Sequence, residues 1–258
     1  MSNLAAADRG VSEVIGFVLV FSLILGTISI VYVGGTASLD DARNAERVNN
    51  AERAFDVMAN NFQQMGRGDA PNRATEIKLA DAQLTTTPNR AVSVNRTGLD
   101  SAVGGSPVTI GYDAPGDTRL VYEHGAVIRE DGESAIMRKE PDWLFVDGTI
   151  VFRLIDLRGA NQGVGGSSST ALVRAETRSR QVLLNRGSTD NVNITVQTHP
   201  DRVSVWKDYL STSLETATDA SVSCDVTSVS SDVREITCYG GSVEELAVSS
   251  IKIDITLT

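Results

Sequence analysis

Apolar residues crowd into one stretch near the start of the chain and thin to alternating positions afterwards. From Val14 to Val33 the sequence VIGFVLVFSLILGTISIVYV holds 20 residues without a charge. As a helix it would be about 30 Å long, the thickness of a bilayer's hydrocarbon layer. A helix buried in a soluble core would show a polar stripe, and none is visible. Its Gly, Ser and Thr residues are of the small kind that lets membrane helices approach one another. The segment predicts a helix that spans or packs in lipid. A secretory signal is the competing reading, but its apolar region is usually about 7–15 residues and ends at a cleavage site. Here the run is longer, and a second helical pattern follows it.

Residues 37–65, ASLDDARNAERVNNAERAFDVMANNFQQM, contain neither Pro nor Gly. Val48, Ala51, Phe55, Met58, Phe62 and Met65 recur at spacings of 3, 4, 3, 4 and 3, with charged and amide residues on the other faces. This is a narrow apolar seam about two and a half heptads long. So short a seam suits packing on the protein's own globular part better than a free coiled coil. Gly34-Gly35 is a place where the helix could kink.

After Met65, GRGDAPNR breaks the helix, and the period changes from three or four to two. Val92 with Val94 and Val108 with Ile110 mark short strands. LVYEHGAVIRE (120–130) predicts a hairpin turning near His124-Gly125. WLFVDGTIVFRLIDL (143–157) predicts another at Asp147-Gly148, a favoured two-residue turn. Further strands are expected at 171–176, 180–185, 193–198 and 251–258. In the last, Ile251, Ile253, Ile255 and Leu257 face one side while Lys252 and Asp254 face the other, as in an antiparallel sheet with one wet face. Pro200 and Asp201 precede Val203, Trp206, Leu210 and Leu214 at helical spacing, which predicts one helix within the head. Trp206 and Tyr209 suit core packing on the sheet better than a binding surface. The Gly/Ser-rich stretch 159–170 reads as a mobile loop. The fold class expected is α+β: a long N-terminal helix, then a β-rich, sandwich-like antiparallel head with one additional helix.

Composition narrows the chemistry. The 258 residues carry 23 Lys and Arg against 33 Asp and Glu, a formal charge of −10. Phosphate binding needs a basic face, so nucleic acid is not an expected partner. Lys occurs only at Lys78, Lys139, Lys207 and Lys252. Abundant acid, scarce Lys and many small residues suit solvation in concentrated salt, against the alternative of an ordinary acidic surface. No zinc-protease His pair, Gly-x-Ser-x-Gly elbow, P-loop, Rossmann glycine fingerprint or EF-hand loop is present. The chain is therefore not read as an enzyme, and no catalytic residue, cofactor or metal is expected. Glu130-Asp131-Gly132-Glu133 could touch a cation but fits a solvated turn better. His124 reads as a turn residue, and His199 as the residue before a helix-starting Pro. Cys224 and Cys238, with 13 residues between them, suit a disulfide across a β-hairpin in an exported head, against two free buried thiols. Such a bridge would contribute about 2–3 kcal/mol in the loop-entropy account. Asn95-Arg-Thr97 and Asn193-Ile-Thr195 are N-glycosylation sequons, each a possible acceptor.

Ahead of the apolar run stands MSNLAAADRGVSEVIGF. A short polar leader, Arg9-Gly10, then Val-Ser-x-Val-Ile-Gly and a long apolar helix resemble archaeal type IV pilin-like prepilins. The resemblance is closest to haloarchaeal members that begin Val-Ser-Pro-Val-Ile-Gly, and it is specific over residues 8–33. It implies that a prepilin peptidase cuts on the cytoplasmic side between Gly10 and Val11. Such a cut keeps the membrane helix, whereas ordinary signal cleavage discards it. Bacterial relatives carry a Glu at the fifth mature position; here Glu13 would be the third. Two readings of Glu13 stay open. It pairs with the new amino group of Val11 in a neighbouring subunit, or it sits at the interface, favoured by the helix N-terminal dipole. The organisation expected is a leader over 1–10, a transmembrane and assembly helix over 11–35, an amphipathic stalk over 36–66 and an extracellular β-rich head over 67–258. The function implied is a cell-surface protein held in the cell membrane by a single pass, exported by the prepilin route. The head is bulky for a major subunit, which suits a minor or accessory member of a filament of like subunits. The alternative is an anchor that never assembles, carrying a head that binds a ligand or a neighbour.

Overall fold

Helix α1 (Ala5–Arg67) forms where the sequence has no proline, and it ends at a glycine. Gly68 takes φ +97°, a left-handed conformation that costs a residue without Cβ little. Its N–H and that of Asp69 both donate to the carbonyl of Gln64, at 3.1 and 3.0 Å. The guanidinium of Arg180 donates to the carbonyl of Met65 at 3.0 and 3.3 Å, satisfying another acceptor of the last turn. The structure, a computed structural model, describes residues 5–87, 90–167, 169–218 and 220–258, without the side chains of 5–13 and 37. The chain divides into two compact units, Met1–Glu46 and Arg47–Thr258. In the first unit the helix runs through Gly34-Gly35 without the expected break. Two glycines weaken a helix without barring it, since each keeps the N–H that proline lacks.

The second unit begins with the rest of α1, and its described residues continue through sixteen strands and one further α-helix. The strands are β1 (Asn72–Lys78), β2 (Gln83–Thr87), β3 (Val92–Asn95), β4 (Val103–Gly105), β5 (Thr109–Asp113), β6 (Thr118–Glu123), β7 (Ala126–Asp131) and β8 (Ser134–Lys139). Then come β9 (Leu144–Val146), β10 (Thr149–Arg158), β11 (Gly163–Gly165), β12 (Thr170–Arg186) and β13 (Asn193–Thr198). A 3-10 turn (Pro200–Arg202) leads into α2 (Val203–Ala217), followed by β14 (Ser223–Ser228), β15 (Arg234–Tyr239) and β16 (Glu245–Leu257). They form three sheets, in the orders β1-β12-β16-β10-β9, β11-β2-β5-β6-β7-β8 and β14-β15-β13-β3-β4. All ladders among these strands are antiparallel except that between β10 and β16, which is parallel. The wholly antiparallel expectation is corrected there. The 86 residues between those two strands, including β12 and α2, give ample length for the crossover that a parallel pair requires.

Two hydrophobic clusters hold this unit together. In the first, the predicted seam (Val48, Ala51, Phe55, Met58, Phe62, Met65) packs with Leu84, Ile110, Tyr112 and Tyr122 of the second sheet and Ile251, Ile253 and Ile255 of β16. Phe62 meets Tyr122 edge-on at 5.1 Å between ring centres. In the second cluster, Trp206, Leu210 and Leu214 of α2 pack with Ile194, Val196 and Ile236 of the third sheet and with Phe152, Leu246 and Val248. The first sheet serves both clusters through a change of phase. In β16 the buried apolar positions Leu246 and Val248 are even, while Ile251, Ile253, Ile255 and Leu257 are odd. Side chains alternate across a strand, so the two halves of β16 bury opposite faces. The single wet face read from residues 251–258 is therefore only half of the strand.

Both predicted hairpins form, with His124 and Gly125 at φ +51° and +93° and Asp147 and Gly148 at +27° and +77°. Strands 171–176 and 180–185 are one strand, β12, whose register shifts once between Thr177 and Ser179, where a break was expected, and again between Val182 and Leu184. The Gly/Ser-rich stretch 159–170 is not all loop, because Gly163–Gly165 pairs with β2 and Val164 packs against the first cluster.

Candidate functional site

In the first unit, every described side chain from Val14 to Thr36 is exposed. Phe17, Leu23 and Ile30 stand at 69%, 70% and 75% exposure. So long an apolar surface needs a partner phase, since soluble monomers rarely show apolar patches above a few hundred Å². Four hydroxyls in and just after this stretch are bonded back to the helix. Thr27 Oγ1 donates to the carbonyl of Ile24 (2.9 Å), Ser29 Oγ to Leu25 (2.8 Å), Thr36 Oγ1 to Tyr32 (3.0 Å) and Ser38 Oγ to Gly34 (3.0 Å). A hydroxyl bonded back to the helix can enter hydrocarbon without an unpaired donor. Among the described residues this is the one helix long and apolar enough to cross a membrane. The cleavage residues Arg9, Gly10 and Val11, and Glu13, lie outside the described side chains.

A second feature is a buried ion cluster in the globular unit. The hairpin β6–β7 sets Glu123 and Glu130 against Arg202, which the turn after Pro200 delivers at the start of α2. Arg202 Nε and Nη2 reach the two oxygens of Glu123 at 3.1 and 3.2 Å, and Nη1 reaches Glu130 at 2.6 Å. Thr198 Oγ1 and Trp206 Nε1 also donate to Glu123, at 2.6 and 3.0 Å. Burial alone would raise the Glu123 carboxyl, but the Arg202 charge and these hydrogen bonds outweigh it and hold the group at about 2. The same carboxylates outweigh burial at Arg202 and raise its guanidinium further. A carboxylate so saturated with donors is poorly placed to exchange protons, and the cluster works as a clamp between two sheets and α2. His124, beside it, hydrogen-bonds the carbonyl of Gln197 through Nε2 at 2.9 Å, and its burial lowers the imidazole below the ordinary range.

This clamp was not legible locally. Glu123, Glu130 and Arg202 are 7 and 72 residues apart, and no short motif joins them. Only a glutamate closing the apolar run Leu120-Val121-Tyr122 hinted at a buried charge. The acidic turn 130–133 is drawn into other bonds, Glu130 to Arg202, and Asp131 to Arg129 (2.7 Å) and Thr118 (2.7 Å). Among the described residues no cluster of His, Cys, Asp and Glu could hold a metal ion. His199 caps the turn before α2 through Asp201 N–H. Trp206 is fully buried and Tyr209 packs on Trp143, Phe145 and Trp206.

Cys224 and Cys238 are directly opposed on β14 and β15 and form a disulfide. Replacing both by Ser is expected to lower stability by about 2–3 kcal/mol, read as an earlier midpoint in denaturant unfolding. The sequon residues Asn95 and Asn193 are cross-strand partners of β3 and β13, both partly exposed.

A family described as a family of unknown function (DUF7289) matches residues 9–256. No curated protein and no solved structure matches the chain.

Proposed function

The chain belongs to DUF7289, whose function is unknown, and we propose that it is a pilin-like, membrane-anchored cell-surface protein exported by a prepilin-type pathway. The observation that carries this reading is the uncharged, wholly exposed apolar helix Val14–Val33, in which Thr27 and Ser29 are tied back to the helix's own carbonyls. The disulfide Cys224–Cys238 supports an oxidising compartment for the globular unit. The role is structural rather than enzymatic. The chain acts as a minor or accessory subunit of a surface filament, its apolar helix exchanging lipid contacts for contacts with like helices. On this reading Gly10 offers the peptidase an unhindered backbone, and Glu13 enters the helix bundle. The partners are the membrane, the prepilin peptidase and like subunits. Glycans on Asn95 or Asn193 belong to the same extracellular reading.

The test is the N-terminus of protein recovered from membranes. A start at Val11 is expected, and Gly10→Leu should leave the leader attached. A start at Met1 or Ser2, or an unchanged Val11 start in Gly10→Leu, would contradict the prepilin route. Shearing separates the assembled role from a lone anchor: an accessory subunit travels with filaments, and a lone anchor stays with membranes.

A further inference from the structure

The long strand β12 is covered on one side only over its second half. Its first part, 170–176, pairs with β1, and Thr177 N–H still donates to the carbonyl of Pro71 at 2.8 Å, but from Ser179 to Arg186 it pairs with β16 alone among the described strands. The stretch from Thr177 to Arg186, TRSRQVLLNR, has three Arg and no acid in a chain of charge −10. Val182 on it is 71% exposed. Beside it a cleft of about 260 Å³ is lined by Arg180, Gln181, Val182, Ser249 and Ile251, among others. A strand added along β12 would pair its backbone with this open edge.

A second open edge carries the opposite sign. β14 closes the third sheet and, among the described strands, pairs only with β15. Between Lys207 and Arg234 the chain has no Lys or Arg, and Asp225 stands exposed on β14 beside exposed Val226. The disulfide to Cys238 fixes this thinly packed strand to its neighbour, so the edge is presented ready-made. Some of the charge is already engaged. Arg178 contacts Asp254 at 3.3 Å, Arg180 caps α1, and Asp232 in the following turn meets Arg90 at 3.5 Å. Arg186 and Asp225 stand exposed at the two edges.

We infer that the β14 edge of one copy adds to the β12 edge of the next, joining globular units head to tail. This rests on the reading that the chain contacts like subunits in a filament and goes beyond it, giving an accessory subunit a run of its own copies rather than a single place. Pairing β12 with β12 would set Arg against Arg, and like charges directly opposed disfavour a ladder. The heterologous pairing brings Asp225 to the Arg-bearing edge, leaves each copy one free edge of each sign, and so propagates.

The test uses the full chain in detergent micelles, with sedimentation velocity at rising concentration. Wild type should form a concentration-dependent series beyond the dimer. Arg186→Glu and Asp225→Lys should each weaken association about tenfold or more. Mixing the two variants should restore it, since each edge then finds an opposite charge. Hydrogen exchange should slow over 178–186 and 223–228 as the series grows. A chain that stays monomeric, variants that associate like wild type, or a mixture that stays monomeric would each overturn the pairing. An inert head on a chain still retained in membranes sinks only this inference; a mature chain that begins beyond Gly35 sinks the anchor reading itself.

Discussion

Replacing Arg202 by Met is expected to destabilise the globular unit by about 3–5 kcal/mol. The substitution keeps much of the side-chain volume and removes the one cation that faces two buried carboxylates. Glu123 would lose two of its four donors, keeping Thr198 and Trp206, and Glu130 would lose its 2.6 Å partner. Breaking a buried pair from one side costs far more than the pair contributes, because the remaining charge stays out of water. Arg202→Lys should recover little, since an ammonium cannot bond both oxygens of Glu123 and reach Glu130 at once. Denaturant unfolding followed by the fluorescence of Trp206, which touches the cluster, and of Trp143 beside it reads the effect directly. A loss below about 1 kcal/mol would show that the clamp is dispensable.

The same cluster sets an acid limit. Glu123 sits at about 2 in the folded protein against 4.5 for the free side chain. Its contribution is fully present above about 4.5 and is lost as pH falls towards 2, because the unfolded chain takes up the proton first. The linked free energy is of the order of 3 kcal/mol. His124 adds an earlier loss of the same sign. Burial, opposed by Glu123 and by the bond to Gln197, keeps it neutral in the fold, so protonation of the unfolded chain begins to favour unfolding below about pH 6.5. Unfolding midpoints measured from pH 7 to 3 should therefore fall monotonically, and Glu123→Gln should flatten the part below pH 4.5.

The local pattern carried most elements of this fold. The seam from Val48 to Met65, the turns at His124-Gly125 and Asp147-Gly148, and the helix carrying Trp206 were all legible, because period and turn chemistry are short-range. What escaped were relations between distant residues. The parallel pairing of β10 with β16 depends on a crossover, and the phase change between Val248 and Ile251 makes sense only once two clusters flank one sheet. The ion cluster was invisible for the same reason: Glu123 meets Arg202 only after the hairpin and α2 are placed. Cys224 and Cys238 could be paired from sequence because only two cysteines exist. The open edge of β12 was hidden because the strand was read as two.

The larger expected effect lies in the first unit. The stretch Val14–Val33 holds fourteen Val, Ile, Leu and Phe residues. At about 0.3–0.6 kcal/mol each they favour insertion by roughly 4–8 kcal/mol, whereas one Arg at mid-span opposes it by about 2.5–3.5 kcal/mol. Leu23→Arg with Ile24→Arg should thus cancel nearly all of the driving force. The double variant is expected to leave the membrane fraction in flotation gradients while Cys224–Cys238 still forms in any exported fraction. Leu23→Ala with Ile24→Ala, which adds no charge, should float like wild type. Loss of flotation in both variants would point to packing rather than hydrophobicity as the cause.

The most direct measurement is the intact mass of the chain that remains in membranes after an alkaline wash. Retention of a species that includes residues 11–35 is the predicted result. A mature protein found only in the soluble fraction, with a mass that lacks this segment, would contradict the account.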